Sequence, residues 1–305
     1  MKNLISVLLA FLAAWPSASA DEPVSFALAN GLRVRLVPAH DEPRVAVILA
    51  VRAGFLEEPA GVPHVAHVTE HLAVFDLKDE AARQAVDRWY QKGQANGETL
   101  ADYMYFDLHL NADELAMALK VQAGRLDGVD FKRETLAREL PRTLQEIEFL
   151  ESSQHGGTGK FVLAPFVQAA WHGKNDVPIK ARTQRITLDE VRAFHARTFR
   201  PDRAGLLVIG DFDPATARKE IEQRFGNIKR PPAPPVARSQ IKPGLAKVSW
   251  DVSTRHLLLA WPLPAVGDPE HAETTLAATA LSTRLIMGMG KLGLKRYPFC
   301  DSQEG

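Results

Sequence analysis

The run His64-Val-Ala-His67-Val-Thr-Glu70-His71 constrains this chain more than any other segment. On a helix of 3.6 residues per turn, His67 and His71 lie one turn apart on a single face, with Glu70 beside them rather than opposite. Two imidazoles so placed are close enough to share one metal ion. Zinc binds neutral imidazole nitrogens at about 2.0–2.1 Å, and a hydrolytic site keeps one coordination position open for water. Glu70 then stands where a base is needed to deprotonate that water. His64 lies one turn before His67, as an outer or partly exposed group.

A third donor is sought downstream, in Glu139-Leu-Pro-Arg-Thr-Leu-Gln-Glu146-Ile-Glu148, which has helical periodicity after its proline. Glu139 and Glu146 are two turns apart and share a face, whereas Glu148 is turned roughly 200° from Glu146. Glu146 is therefore the better ligand, one Zn2+ per chain being held by His67, His71 and Glu146.

Composition narrows the setting. Lys plus Arg equals Asp plus Glu at 37 each, so a polyanion-binding surface is not indicated and no nucleic-acid partner is expected. Residues 1–20 combine a basic Lys2, an apolar stretch from Leu4 to Trp15 and the small-residue end Ala18-Ser-Ala20, the pattern of a secretory signal peptide. This predicts a periplasmic or secreted chain starting near Asp21, with no membrane span after signal cleavage. The single cysteine, Cys300, rules out disulfides within the chain.

Local patterns divide the mature chain. Strands are expected within 24–53, antiparallel, and at Ala204–Gly210; Arg33-Val-Arg-Leu-Val shows two-residue alternation. Helices are expected around 63–77, 79–92, 112–126, 131–152, 188–197 and 213–225. The proline-rich stretch 229–244 reads as a stiff linker. After it come two strand-like runs, Lys247–Val252 and Arg255–Leu263, and a helix from Glu270 to about Met287. The expected division is a signal peptide at 1–20, a metal-binding domain at 21–228, the linker at 229–244 and an incomplete second domain at 245–305.

In the order His-x-x-Glu-His, the motif at 67–71 is that of inverted zinc peptidases, and the chain resembles the pitrilysin/insulinase metallopeptidase family. Asn30-Gly-Leu-Arg-Val-Arg-Leu-Val-Pro38 resembles the family's opening strand, and Val51-Arg-Ala-Gly54 with Glu57-Glu-Pro59 resembles the strand leading to the zinc helix. Gly93-Gln-Ala-Asn96-Gly-Glu-Thr99 is similar to its Asn-Ala-x-Thr segment, and Phe199-Arg-Pro-Asp202 with Val208–Pro214 to the strand closing the first half. His64 stands where the family usually has glycine, Gly97 where it usually has alanine, and Val74-Phe-Asp-Leu replaces a Phe-Lys-Gly-Thr-like segment. The stretch 171–178 resembles the family's His-Pro-Tyr-type loop only loosely.

The resemblance implies an α+β fold, an antiparallel sheet flanked by helices, followed by a related second half that here is incomplete. It implies ligand, base and ligand at His67, Glu70 and His71, a supporting acid at Glu139 and a substrate-binding Asn96. It further implies zinc-dependent endopeptidase activity on unstructured peptides. Two other readings stay open: a subunit, catalytic or not, that pairs with a second peptidase-family chain or with its own copy, and a fragment without function of its own.

Overall fold

A computed structural model of the chain describes residues 22–59, 61–100, 102–152, 183–229, 264 and 268–291. The expected signal segment, the linker from residue 230 on, the strand-like runs 247–252 and 255–263, the loop 171–178 and Cys300 lie outside the described residues.

Strand alternation builds the core. β1 (Val24–Ala27), β2 (Arg33–Pro38), β3 (Arg44–Val51), β4 (Ala95–Thr99), β5 (Met104–Asn111) and β6 (Ala204–Gly210) form one six-stranded sheet in the order β1-β2-β6-β3-β5-β4. Val34 and Leu36, Val45 to Val51 at alternate positions, Met104 to Leu110 at alternate positions, and Leu206 and Val208 are buried. The ladders bring them side by side: Leu49 lies opposite Phe106 on one side and Leu206 on the other. Residues between them, such as Ile48, Tyr105 and Leu207, are half-exposed, so one face of the sheet carries the main core.

The α+β class is as expected, with one correction to the sheet. Every pairing is antiparallel except β2 with β6, which is parallel. The strands of 24–53 thus do not form one continuous antiparallel set, because β6 lies between β2 and β3. The reason is connectivity: β6 enters the sheet only after the helical layer, along β2 and against β3, filling the centre.

Seven α-helices occur among the described residues: α1 (Val65–Phe75), α2 (Glu80–Gln91), α3 (Leu115–Asp127), α4 (Arg133–Ser152), α5 (Leu188–Thr198), α6 (Pro214–Phe225) and α7 (His271–Lys291). Their starts follow capping chemistry. Asp79 accepts from the Ala82 N–H at 2.9 Å, Thr187 and Glu190 make a reciprocal capping box, and Asp213 accepts from Thr216 N–H ahead of Pro214. The expected helix 112–126 begins as a 3₁₀ turn at Ala112–Glu114 before α3. α4 continues through Pro141, which removes one helical hydrogen bond. The helix is held from outside, by the contacts of Glu139 and Glu146 on either side of the proline.

Candidate metal centre

α1 is buried along most of its surface, from Val65 to Val74, and packs against α4, α5 and β4. A helix with Glu70 and His71 at such depth needs partners for them. Its first turn has no side-chain cap of its own; Glu58, buried, accepts from the backbone N–H of His64 at 3.0 Å and of Ala66 at 3.1 Å. His64 itself adopts the left-handed region at φ +64°, a conformation that favours glycine. Burial, and then the neighbouring His67, lower its pKa to about 3. It lies outside the group of donors that converges on α4.

At the other end of α1, Asp76 is buried and accepts from the backbone N–H of Lys132 at 2.6 Å and from the Thr135 hydroxyl at 2.9 Å. This carboxylate ties the end of α1 to the start of α4 and so fixes the two helices in register. That register brings the acids of α4 to the histidines of α1. Glu146 Oε2 lies 3.2 Å from His67 Nε2 and 3.4 Å from His71 Nε2, and Glu139 Oε2 lies 3.3 Å from His71 Nδ1. One donor atom from each of His67, His71 and Glu146 lies within 4.8 Å of the others. Glu148 is not part of this group.

The two nitrogens of His71 are therefore distinguished. Nδ1 faces the fully buried Glu139, and Nε2 faces Glu146 and the side of His67. Arg138 Nε donates to Glu139 at 2.7 Å and Arg142 approaches it at 3.4 Å, so this acid is held in place by cations as well. In the metal-free protein, burial alone would lower the His71 pKa, but hydrogen bonds to Glu139 and Glu146 outweigh it and raise it to about 9. Burial opposes ionisation of Glu139, yet His71 and Arg138 hold its pKa down at about 2. Hydrogen bonds from His67 and His71 likewise keep Glu146 well below the usual carboxylate range. The cluster thus holds anionic carboxylates around imidazole nitrogens, an arrangement a divalent cation can replace with its own charge.

Glu70 points from α1 toward the sheet, where Thr99 Oγ1 donates to its Oε2 at 2.7 Å. β4 is one of the two edge strands of the sheet, β1 being the other. Ala95 and Thr99 are buried under α1, whereas Asn96 is exposed, so by strand alternation the Asn96 side chain stands on the opposite face from Glu70. Below this layer Arg125 is fully buried, its guanidinium 4.5 Å from the Phe106 ring centroid.

Glu58, Asp76, Thr99, Arg138 and Arg142 were not assigned roles from sequence. Only Thr99 carried a local signal, as the threonine of the segment similar to the family's Asn-Ala-x-Thr. The others act across elements whose juxtaposition no local pattern encodes.

Relatives of known name and solved structures of similar fold are as follows. The family profile described as "Peptidase M16 inactive domain" matches residues 185–288. An uncharacterized zinc protease of Mycobacterium tuberculosis is 27% identical over 288 residues, covering 87% of this chain and 62% of that protein. The probable zinc protease PqqL of Escherichia coli is 23% identical over 238 residues, covering 72% of this chain and 24% of that protein. Among solved structures, a protease from Helicobacter pylori superposes with a TM-score of 0.62 at 20% identity, over 73% of this chain and 54% of that one. The first half of the periplasmic protease PqqL from Escherichia coli gives 0.60 at 20% identity, over 73% and 50%.

The chain is thus similar to zinc proteases, and its fold is that of the M16 peptidases, the pitrilysin/insulinase type of metallopeptidase. It spans about three-fifths of the length of its mycobacterial relatives. The profile named for an inactive domain begins at residue 185, C-terminal to every donor of the cluster, so that name does not bear on His67, Glu70, His71 or Glu146. Among the described residues, no helix is long and apolar enough to cross a membrane.

Proposed function

We propose that this chain is the metal-bearing part of a zinc-dependent endopeptidase that hydrolyses unstructured peptides. The observation that carries the reading is the convergence of His67, His71 and Glu146 donor atoms within 4.8 Å. The donor chemistry fits zinc: two imidazole nitrogens and one carboxylate oxygen, with the remaining nitrogen of His71 turned to a buried acid. When bound, one zinc ion per chain supplies Lewis-acid polarisation of the scissile carbonyl and a lowered pKa for the attacking water.

The protein's own groups do the rest. Glu70 takes a proton from water and returns it to the leaving amine. Glu139 keeps His71 in the tautomer with Nδ1 protonated, which leaves Nε2 free to ligate. The edge of β4, unpaired among the described residues, accepts an extended peptide as an added strand, with Asn96 beside it, so backbone pairing gives affinity without demanding one sequence. An unstructured peptide can take up the extended form that such pairing needs, which is why the substrate class is unstructured peptide. The domain division at 21–228, 229–244 and 245–305, and a periplasmic or secreted location after removal of 1–20, belong to the same reading.

The test is metal content of the purified mature chain beside Glu146→Gln, with peptide cleavage measured against Glu70→Gln. Near-stoichiometric zinc that falls sharply in Glu146→Gln, with cleavage lost in Glu70→Gln, supports the reading. Folded wild type without zinc defeats it. A second arrangement within this reading is an assembly with a second M16 subunit or a second copy, for which the likeness to the first half of PqqL speaks. Light scattering with and without such a partner, followed by the same cleavage assay, tests that arrangement.

A further inference from the structure

Backbone pairing along β4 is indifferent to sequence, but one side chain of that strand is not. Thr99 Oγ1 donates to Glu70 Oε2 at 2.7 Å, and a Cβ built on Gly97 would stand 2.9 Å from Glu70 Oε1. The Glu70 carboxylate therefore lies against residues 97 and 99. Between them is Glu98, the one position of the segment Asn96-Gly-Glu-Thr99 that the motif leaves open. Strand alternation sends its side chain to the other face of the sheet, the face of Asn96.

On that face Glu98 is half-buried and lies across the ladder from Tyr105, whose hydroxyl donates to Glu98 Oε2 at 2.6 Å. This bond, with burial second, holds the Tyr105 phenol well above its usual pKa, so the hydroxyl stays a donor and Glu98 an acceptor. Asp107, the next acid along the same face, is engaged elsewhere: its Oδ2 meets His109 Nε2 at 2.9 Å and its Oδ1 is buried. A carboxylate offers about four acceptor positions over its two oxygens, so Glu98 can hold the Tyr105 hydroxyl and a cation together. In a strand added to β4, the residue directly across from Glu98 has its Cβ about 4.5–5.5 Å away on the same face, within reach of a lysine or arginine side chain. Because Glu70 lies against both neighbours of Glu98, that residue borders the bond being cut.

We propose that Glu98 is a specificity-determining residue that selects peptides with a lysine or arginine beside the scissile bond. The inference rests on the reading that a peptide adds to β4 next to the metal centre. Opposite charges directly across a strand pair attract and like charges repel, so one carboxylate both favours a basic residue and rejects an acidic one. The substrate class narrows from any unstructured peptide to a basic one.

The experiment uses the full zinc-loaded chain and a series of quenched fluorescent peptides carrying a single Arg, Gln or Glu at each position near the cut. Zinc content and thermal midpoint are measured for wild type, Glu98→Gln and Glu98→Lys. In wild type, the ratio of kcat/KM for Arg over Glu is expected to reach about 10-fold at one position bordering the cut, and to shrink as salt rises. Glu98→Gln is expected to bring that ratio to within about 2-fold at unchanged zinc content, and Glu98→Lys to turn it toward Glu. Fluorescence anisotropy of labelled Arg and Glu peptides on zinc-loaded Glu70→Gln, with and without Glu98→Gln, repeats the comparison in the absence of turnover.

Equal use and equal binding of Arg and Glu peptides, or a preference for Arg that Glu98→Gln keeps, overturns the inference. If Glu98→Gln does not fold, Glu98→Lys decides alone, and a continued preference for Arg there overturns it. A zinc-loaded wild type that cleaves none of the peptides overturns the peptidase reading itself, while the anisotropy ratio still decides the role of Glu98.

Discussion

Replacing Arg125 by methionine is expected to leave the fold as stable as wild type or slightly more so, although it removes a fully buried charge. The guanidinium donates to Gln122 Oε1 at 2.8 Å and lies over the Phe106 ring, but its Nε and Nη2 have no hydrogen-bond partner among the described residues. Burial pushes its pKa from 12.5 down to about 9, with Asp107 and Glu70 opposing. At about 1.4 kcal/mol per tenfold change, keeping the cation there costs roughly 5 kcal/mol at neutral pH. The hydrogen bond returns about 1.5–3 kcal/mol and the ring contact about 1–2 kcal/mol. Methionine fills most of the volume, leaving a packing loss of about 1 kcal/mol. The net change is within about 1 kcal/mol of zero, unlike the 3–5 kcal/mol typical of breaking a well-made buried pair. Urea unfolding at pH 7 with an unchanged m-value is the assay. A loss above about 2 kcal/mol in Arg125→Met would refute the reasoning and show that the cation is net stabilising through Asp107 and Glu70.

Three further outcomes are expected. Glu139→Gln removes the charge facing His71 Nδ1 and leaves Arg138 and Arg142 without their acid, so zinc affinity in a chelator competition should weaken by about 10–100-fold; unchanged affinity would remove Glu139 from the site. In metal-stripped protein, the pairing of His71 stabilises fully below 6.5 and is lost as pH rises through about 9, while that of Glu139 is full above 4.5 and lost as pH falls through about 2. The urea midpoint should thus be highest between 4.5 and 6.5 and decline toward 9, and a flat profile over that alkaline range contradicts the coupling. Asp76→Ala orphans the Lys132 N–H and the Thr135 hydroxyl and should cost about 1–3 kcal/mol by urea unfolding, with zinc affinity falling too because α1 and α4 lose their register. Weakened folding with intact zinc affinity would show that the helix pair is held elsewhere.

Much of this site is readable from spacing because its parts lie on regular elements. His67 and His71 at one turn, and Glu139 and Glu146 at two, must share helical faces, and the structure turns those faces toward each other. β2 is likewise plain from alternation, whereas β4 and β5 had no place among the expected strands. Local patterns are silent where a contact joins distant segments. Neither Glu58 nor Asp76 has a neighbour in sequence that reveals its task, and the insertion of β6 beside β2 depends on which strand reaches the open centre of the sheet. Asn96 shows the same limit: its place on the face of β4 away from Glu70 follows only once residues 95–99 form a strand packed under α1.

The placement of β6 also sets the order of assembly. Its residues, 204–210, are the last of the sheet in sequence, yet they lie at its centre between β2 and β3. Until they arrive, the β1-β2 ribbon and the β3-β5-β4 ribbon share no hydrogen-bonded edge, and each exposes an apolar strand. A chain emerging from the ribosome must therefore hold two separate ribbons until more than 200 residues have been made, a high-contact-order route that is slow and open to mispairing. Chaperone dependence during synthesis, and aggregation of nascent chains stalled before residue 204, are the cellular cost of joining the sheet with its last strand.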